Sequence, residues 1–226
     1  MSMVTNIPGR RKMVRKIVPV FFIAFLFFAS APVFAESGKV SVGIVGGWAW
    51  STADDAIWGQ SGTEFESAAV YGGRLMYRFP QQVALELAVD RLETDVKESE
   101  SDLGTLNMTP VMLLVKAQGM PKNGEGLTGH VEIGGGINFS DFDENQSGDD
   151  LGFPFTIDTD TSFVYEIGAG ADYFLNNNFS LSLDGRWMGG QIDATRETEE
   201  TSRTREEDIT FYIYNIQLLV GARYWF

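Results

Sequence analysis

From Ile209 to Phe226 the chain reads ITFYIYNIQLLVGARYWF and runs to its last residue. Tyr212, Tyr214, Ile216, Leu218, Val220, Ala222, Tyr224 and Phe226 fall on one face of an extended strand. Asn215, Gln217, Gly221 and Arg223 fall on the other, among Ile213, Leu219 and Trp225. Period-two alternation of this kind marks a half-buried strand. The usual strand in a soluble sheet has about five or six residues. A strand of this length, apolar on one face and closed by aromatics, suits a sheet that crosses a membrane at a tilt. An edge strand of a soluble sandwich is the competing reading.

Working upstream, the same alternation recurs seven more times. The first strand, Lys39 to Ser51, sets Val40, Val42, Ile44, Trp48 and Trp50 against Ser41, Gly43, Gly47 and Ala49. A second, near Ala68 to Phe79, turns Tyr71, Leu75 and Tyr77 outward and Arg74 and Arg78 inward. A third, Val83 to Asp90, sets Leu85, Leu87 and Val89 against Glu86 and Asp90. The fourth, near Leu106 to Gln118, changes phase around Pro110, which predicts a bulge or an irregular edge. The fifth, His130 to Phe139, opposes Val131, Ile133 and Ile137 to His130, Glu132 and Asn138. The sixth, Phe163 to Phe174, opposes Tyr165, Ile167 and Tyr173 to Glu166 and Asp172. The seventh, Phe179 to Met188, opposes Leu181, Leu183 and Trp187 to Asp184 and Arg186. Aromatic residues gather near the strand ends, where rings with a polar tip favour the lipid headgroup level.

The connections alternate. Segments 52–67, 91–105, 140–162 and 189–208 are long and polar, 80–82 and 175–178 are tight, and 119–129 is intermediate. Eight strands with long loops on one side and short turns on the other predict an all-β, antiparallel up-and-down transmembrane barrel, with short periplasmic turns and long extracellular loops.

The N-terminus agrees. Arg10, Arg11, Lys12, Arg15 and Lys16 precede an apolar run from Ile17 to Ala29, and Val33-Phe34-Ala35 supplies a small-residue cleavage pattern. Residues 1–35 therefore read as a secretory signal peptide cleaved after Ala35, and 36–226 as one barrel domain. Met1, Met3 or Met13 would each serve as its start. Those five basic residues leave with the signal, so twelve Lys and Arg face thirty-one Asp and Glu, a net charge near −19. Such a surface disfavours nucleic acid as a partner. The chain has no cysteine, which excludes disulfides and thiolate metal sites.

At this point the chain resembles a known family. Thr109-Pro110, the run His130-Val131-Glu132-Ile133-Gly134-Gly135-Gly136-Ile137-Asn138-Phe139, the block Gly170-Ala171-Asp172-Tyr173-Phe174-Leu175-Asn176 and the ending Gly221-Ala222-Arg223-Tyr224-Trp225-Phe226 are similar to the OmpW-type outer-membrane proteins. The spacing Gly221, Tyr224, Phe226 resembles the C-terminal signal that outer-membrane barrels present to their assembly machinery. The resemblance covers roughly the C-terminal half. It implies a Gram-negative outer-membrane location and an eight-stranded barrel that binds or passes small, often apolar molecules through a narrow channel. It also implies outer-membrane lipid, lipopolysaccharide, periplasmic chaperones and the barrel-assembly machinery as partners.

The expected interior face carries Arg74, Arg78, Arg186 and Arg223 with Glu86, Asp90, Glu132, Glu166, Asp172 and Asp184. Buried charges require partners, so two readings stay open: an ion-pair plug, or a polar path for a cationic solute. Acidic positions outnumber basic ones in this set. His130 is the only histidine and no nucleophile motif stands near it, so no catalytic residue, cofactor or metal is assigned. Asp141, Asp143, Asn145, Ser147, Asp149 and Asp150 make an acidic loop without the glycine placement of a calcium-binding loop. Trp58, Phe65, Phe153 and Phe155 are loop aromatics that would cap the mouth or touch a ligand. The expected function is a non-enzymatic outer-membrane barrel that binds or passes small molecules. The alternative is a structural or surface-interaction barrel with a plugged lumen and working extracellular loops.

Overall fold

β-Branched and aromatic residues in strict alternation leave the backbone one economical arrangement, a sheet with each ladder bond paired to a neighbour. The structure, a computed structural model, describes residues 38–52, 63–98, 101–119, 121, 124–144, 155–200 and 203–226. The segment expected to be a signal peptide, with Ala35, lies outside the described residues, as do Trp58, Asn145, Ser147, Asp149, Asp150 and Phe153.

The strands are β1 (Lys39–Ser51), β2 (Thr63–Phe65), β3 (Ala68–Arg78), β4 (Val83–Glu98), β5 (Ser101–Gln118), β6 (Gly126–Glu144), β7 (Phe155–Thr159), β8 (Ser162–Asn176), β9 (Phe179–Glu200) and β10 (Arg203–Trp225). Neighbours pair antiparallel in the order β10-β1-β3-β4-β5-β6-β8-β9, and β10 pairs with β9 as well. That last pairing closes eight strands into a barrel with no sheet edge in its spanning part, which lets backbone groups be satisfied in lipid. Among the described residues there is no helix.

The outward side chains around the closed part are Val42, Ile44, Leu113, Val131, Ile133, Ile167, Leu181, Leu183, Leu218 and Val220, all well exposed. A soluble domain would not leave such a belt bare. Aromatics rim it: Tyr77 packs edge-on to Phe79 and Tyr224 to Phe226 at the end that holds the tight turns. At the other end Trp187 lies between Tyr165, 5.5 Å away, and Tyr214, 5.9 Å away.

Three sequence expectations are corrected. First, much of the segments 91–105, 140–162 and 189–208 is strand rather than loop. β9 and β10 form one hairpin paired from Tyr224↔Phe179 to Arg203↔Glu200. At 23 residues, β10 is roughly twice the 9–11 residues that a spanning strand needs. Second, there is no bulge at Pro110. β4 and β5 hold one register from Val83↔Ala117 to Val96↔Gly104, and the shift comes only between Val96 and Lys97. Proline removes a donor from the ladder there without slipping it. Third, irregularities sit upstream of β3 and β8 instead. β2 continues β3 along β4 after a one-residue register change at Glu66–Ser67. That change turns Phe65 inward, where it packs against the buried apolar cluster of the outer half.

Above the closed part the wall divides. β6 beyond Asn138 pairs only with β5, and β7 pairs only with β9. β10 beyond Tyr214 pairs only with β9, because β1 ends at Ser51↔Asn215 and Thr52 donates to the Tyr214 carbonyl. Two seams result among the described residues, one between β6 and β7 and one between β10 and β2.

Candidate functional site

Among the described residues, buried charged side chains converge in the interior, which is built in layers. Inward positions of a strand are every second residue. In the half nearest the tight turns those positions read Arg74 and Arg78 on β3, Glu86 and Asp90 on β4, Lys116 and Gln118 on β5, and His130 and Glu132 on β6. Glu166 and Asp172 follow on β8, Asp184 and Arg186 on β9, and Arg223 on β10. All are buried.

Their geometry is an ion-pair web. Arg74 holds Asp90 with both terminal guanidinium nitrogens, at 2.5 and 2.9 Å, and its Nε lies 3.3 Å from Glu86. Glu86 is the hub: Lys116 Nζ at 3.2 Å, Arg223 Nη2 at 3.0 Å and Arg186 Nη2 at 3.7 Å surround the same carboxylate. Lys116 also reaches Glu132 at 2.7 Å, as does Arg186 at 2.8 Å. Arg186 completes its set with Glu166 at 3.3 Å. Asp172 accepts from Arg223 at 3.3 Å and from Gln118 at 2.8 Å. His130 sits between Asp172 and Asp184.

Glycines make the room. A Cβ on Gly72 would stand 2.0 Å from Asp90 Oδ1, and one on Gly170 would stand 2.8 Å from the His130 ring. Side chains there would displace the web.

Two features were not read from the sequence. Lys116 joins the web and narrows the acidic excess expected from the other ten. A lysine among Leu113, Leu114 and Val115 was its signal, but the apparent phase change at Pro110 hid which way it points. Arg78, expected among the paired charges, instead lies 4.4 Å over the Trp225 ring and 5.7 Å over Phe174. Among the described residues no carboxylate stands within ion-pair distance of it. A guanidinium over an aromatic face is a favourable alternative. Met76, Ala84, Phe174 and Trp225 form an apolar floor there, and Trp225 Nε1 donates to Ser180 at 2.9 Å.

Above the web the interior turns apolar. Val45, Ala49, Val70, Leu92, Val96, Leu106, Met108, Ile192, Ala194, Ile213 and Leu219 form one buried cluster, with Phe65 and Phe142 packed against it. A small cavity of about 20 Å³ lies beside it, lined by Ala49, Phe65, Leu92, Leu106, Met108 and Ile213 and bordered by Tyr214 at the β10 seam. Over the same span the outward face turns polar: Arg91 donates to Asn107 at 2.6 Å and Asn107 to Asp143 at 2.9 Å. Lys97 pairs with Glu66.

His130, Glu132 and Asp184 bring one ligand atom each within 4.8 Å of one another. Lys116 and Arg186 already hold Glu132, and their charge opposes a metal cation at that point. Of the C-terminal signal residues, Tyr224 and Phe226 face outward at the floor and Gly221 faces in, where a Cβ would meet Ser182 Oγ at 2.6 Å.

Comparison with known proteins agrees with this architecture. The family model for the outer membrane protein beta-barrel domain matches residues 21–224. Among solved structures, the outer membrane protein OprG of Pseudomonas aeruginosa superposes with a TM-score of 0.66 at 20% identity, over 82% of this chain and 95% of that one. AlkL, determined in lipid bilayers, superposes with a TM-score of 0.52 at 16% identity, over 84% and 89%. The outer membrane protein W of E. coli also matches, at 16% identity over 83% of this chain and 98% of that one, with a TM-score of 0.44. Among curated protein sequences none matches. The resemblance to OmpW-like small barrels stands, and the chain belongs to the outer membrane protein beta-barrel domain family.

Proposed function

We propose that this outer-membrane barrel admits small apolar molecules into the outer half of its interior and releases them sideways. The observation that carries this reading is the stacking of a buried apolar cluster, with its small cavity, on a buried ion-pair web. An apolar solute gains by leaving water for the surface of Leu92, Leu106, Met108 and Ile213. Passing on through the web would require it to break several buried charge pairs, each costly to part. Among the described residues β10 and β2 are not paired beside the cavity, so a sideways route there would cross no buried charge pair. The cavity is small, so Met108 and Phe65 must move to admit a guest, which the unbranched Met108 does readily.

The test uses protein in lipid vesicles and in planar bilayers. Uptake of a fluorescent apolar probe should exceed that of protein-free vesicles, and Leu106→Glu should abolish the excess while steady ion current stays negligible. Current without probe uptake overturns the reading. A cation-selective current would favour a polar path along the carboxylates instead. Absence of both would favour a plugged barrel that anchors functional extracellular loops, a reading the web itself supports. On either reading lipopolysaccharide, outer-membrane lipid and the assembly machinery are the partners to test.

A further inference from the structure

Six carboxylates are buried in the web: Glu86, Asp90, Glu132, Glu166, Asp172 and Asp184. Five side chains bring a permanent positive charge to the same interior: Arg74, Arg78, Lys116, Arg186 and Arg223. One positive charge is missing, and buried charge without compensation is costly. A bound proton restores the balance, and His130, set between two of these carboxylates, is the side chain of the web whose ordinary titration lies nearest neutral pH.

His130 projects from β6 into a slot that the missing Cβ of Gly170 leaves open. From β8, Asp172 Oδ2 stands 2.9 Å from Nδ1; from β9, Asp184 Oδ1 stands 2.7 Å from Nε2. Lys116 approaches from β5, Arg186 from β9, and Arg223 from β10 through Asp172; Glu132 is on its own strand, and Arg78 and Glu86 lie on β3 and β4. Ionised carboxylates only accept hydrogen bonds. A neutral imidazole has a single N–H, so it satisfies one of these aspartates and turns a lone pair on the other. An imidazolium donates to both.

We infer that His130 carries the missing charge as a second ring proton, and that this proton is a latch tying β6 to β8 and β9 and holding the web shut. Removing it at alkaline pH leaves the interior one negative charge in excess and sets a ring lone pair against a carboxylate, so the web loosens as pH rises. The inference goes beyond the route of any solute: it concerns the web alone.

Because His130 is the only histidine in the chain, nitrogen NMR of histidine-labelled protein in lipid, without a histidine tag, reports this ring directly. Both ring nitrogens should be protonated at neutral pH, and one should lose its proton under alkaline conditions. A bare ring nitrogen at neutral pH overturns the inference. In planar bilayers, wild-type ion current should rise severalfold across the pH range in which the ring titrates. His130→Gln should conduct at neutral pH with no further rise, and His130→Gln combined with Asp184→Asn, which restores the charge count, should close again. A wild-type current that stays flat through the ring's own titration overturns the latch, whether or not the variants assemble. The ring signal does not depend on probe uptake, so failure of the proposed function and failure of the latch are separable.

Discussion

Below a plane drawn near Arg91, Thr109 and Gln191 the barrel is apolar outside and charged inside; above it the same strands are polar outside and apolar inside. β4 shows the change most plainly. From Val83 to Asp90 its odd positions face lipid as Val83, Leu85, Leu87 and Val89, while Glu86 and Asp90 face in. From Arg91 onward the odd positions are Arg91, Glu93, Asp95 and Lys97, and the inward ones are Leu92, Thr94 and Val96. The backbone register across to β5 does not change from Val83 to Val96. Hydrophobic alternation therefore reports what surrounds a strand, not which way its side chains point. The lower half satisfies a hydrocarbon solvent and the upper half satisfies water. The upper half holds together as a soluble barrel does, by an apolar interior.

The largest test of this contrast is in the lower half. Arg186→Met should destabilise the barrel by about 3–5 kcal/mol, because Glu86, Glu132 and Glu166 lose a shared cation inside a dry web. Urea unfolding from lipid vesicles measures it, and a neutral result would mean that water already enters the web. Next comes the outward face. Leu218→Arg, within the apolar belt, should cost about 2–4 kcal/mol, whereas Glu93→Arg on the outward face above the plane loses an exposed ion pair with Arg91 and should cost about 1 kcal/mol at most. Equal costs would move the boundary. In the upper half Leu92→Ala removes a fully buried side chain. It should cost about 2 kcal/mol, at the low end of such losses because Phe65 and Met108 can close on the gap. Amide exchange should quicken along β4 from Leu92 to Val96 and stay slow around Glu86. Smallest is Arg91→Gln, which cuts the surface ladder to Asn107 and the exposed ion pair with Glu93 without adding a like charge, and should cost less than about 1 kcal/mol. Raising the salt concentration should mask even that difference.

The lower half was legible in the sequence. On β1, β3, β6, β8, β9 and β10 one face had to be apolar for lipid, so Arg74, Glu132, Asp172 and Arg186 declared themselves by parity alone. The upper half was not. An apolar inner face and a polar outer face give the same alternation in the opposite phase, so Leu106 and Met108 stand out of phase with Leu113 and Val115. The reversal at Pro110 looked like a bulge, and Lys116 was lost with it. Charged stretches such as Glu197–Glu200 and Arg203–Asp208 read as loop, because a polar strand without apolar alternation is indistinguishable in sequence from a solvated connection. Phe65 was unreadable for another reason: a one-residue irregularity at Glu66–Ser67 re-aims it, and no periodicity records a single inserted residue.

The long β9–β10 hairpin has a consequence for how the molecule assembles. Its two strands pair almost end to end, from Arg203↔Glu200 to Tyr224↔Phe179, so many of their contacts join residues close in sequence. Local pairings form early because little chain entropy is lost in making them. The pairing of β1 with β10 joins Ser41 to Trp225, nearly the whole described chain apart, and carries the heaviest loop-closure cost. The hairpin is therefore expected to form first and to template the wall, and the seam between the first and last strands to close last.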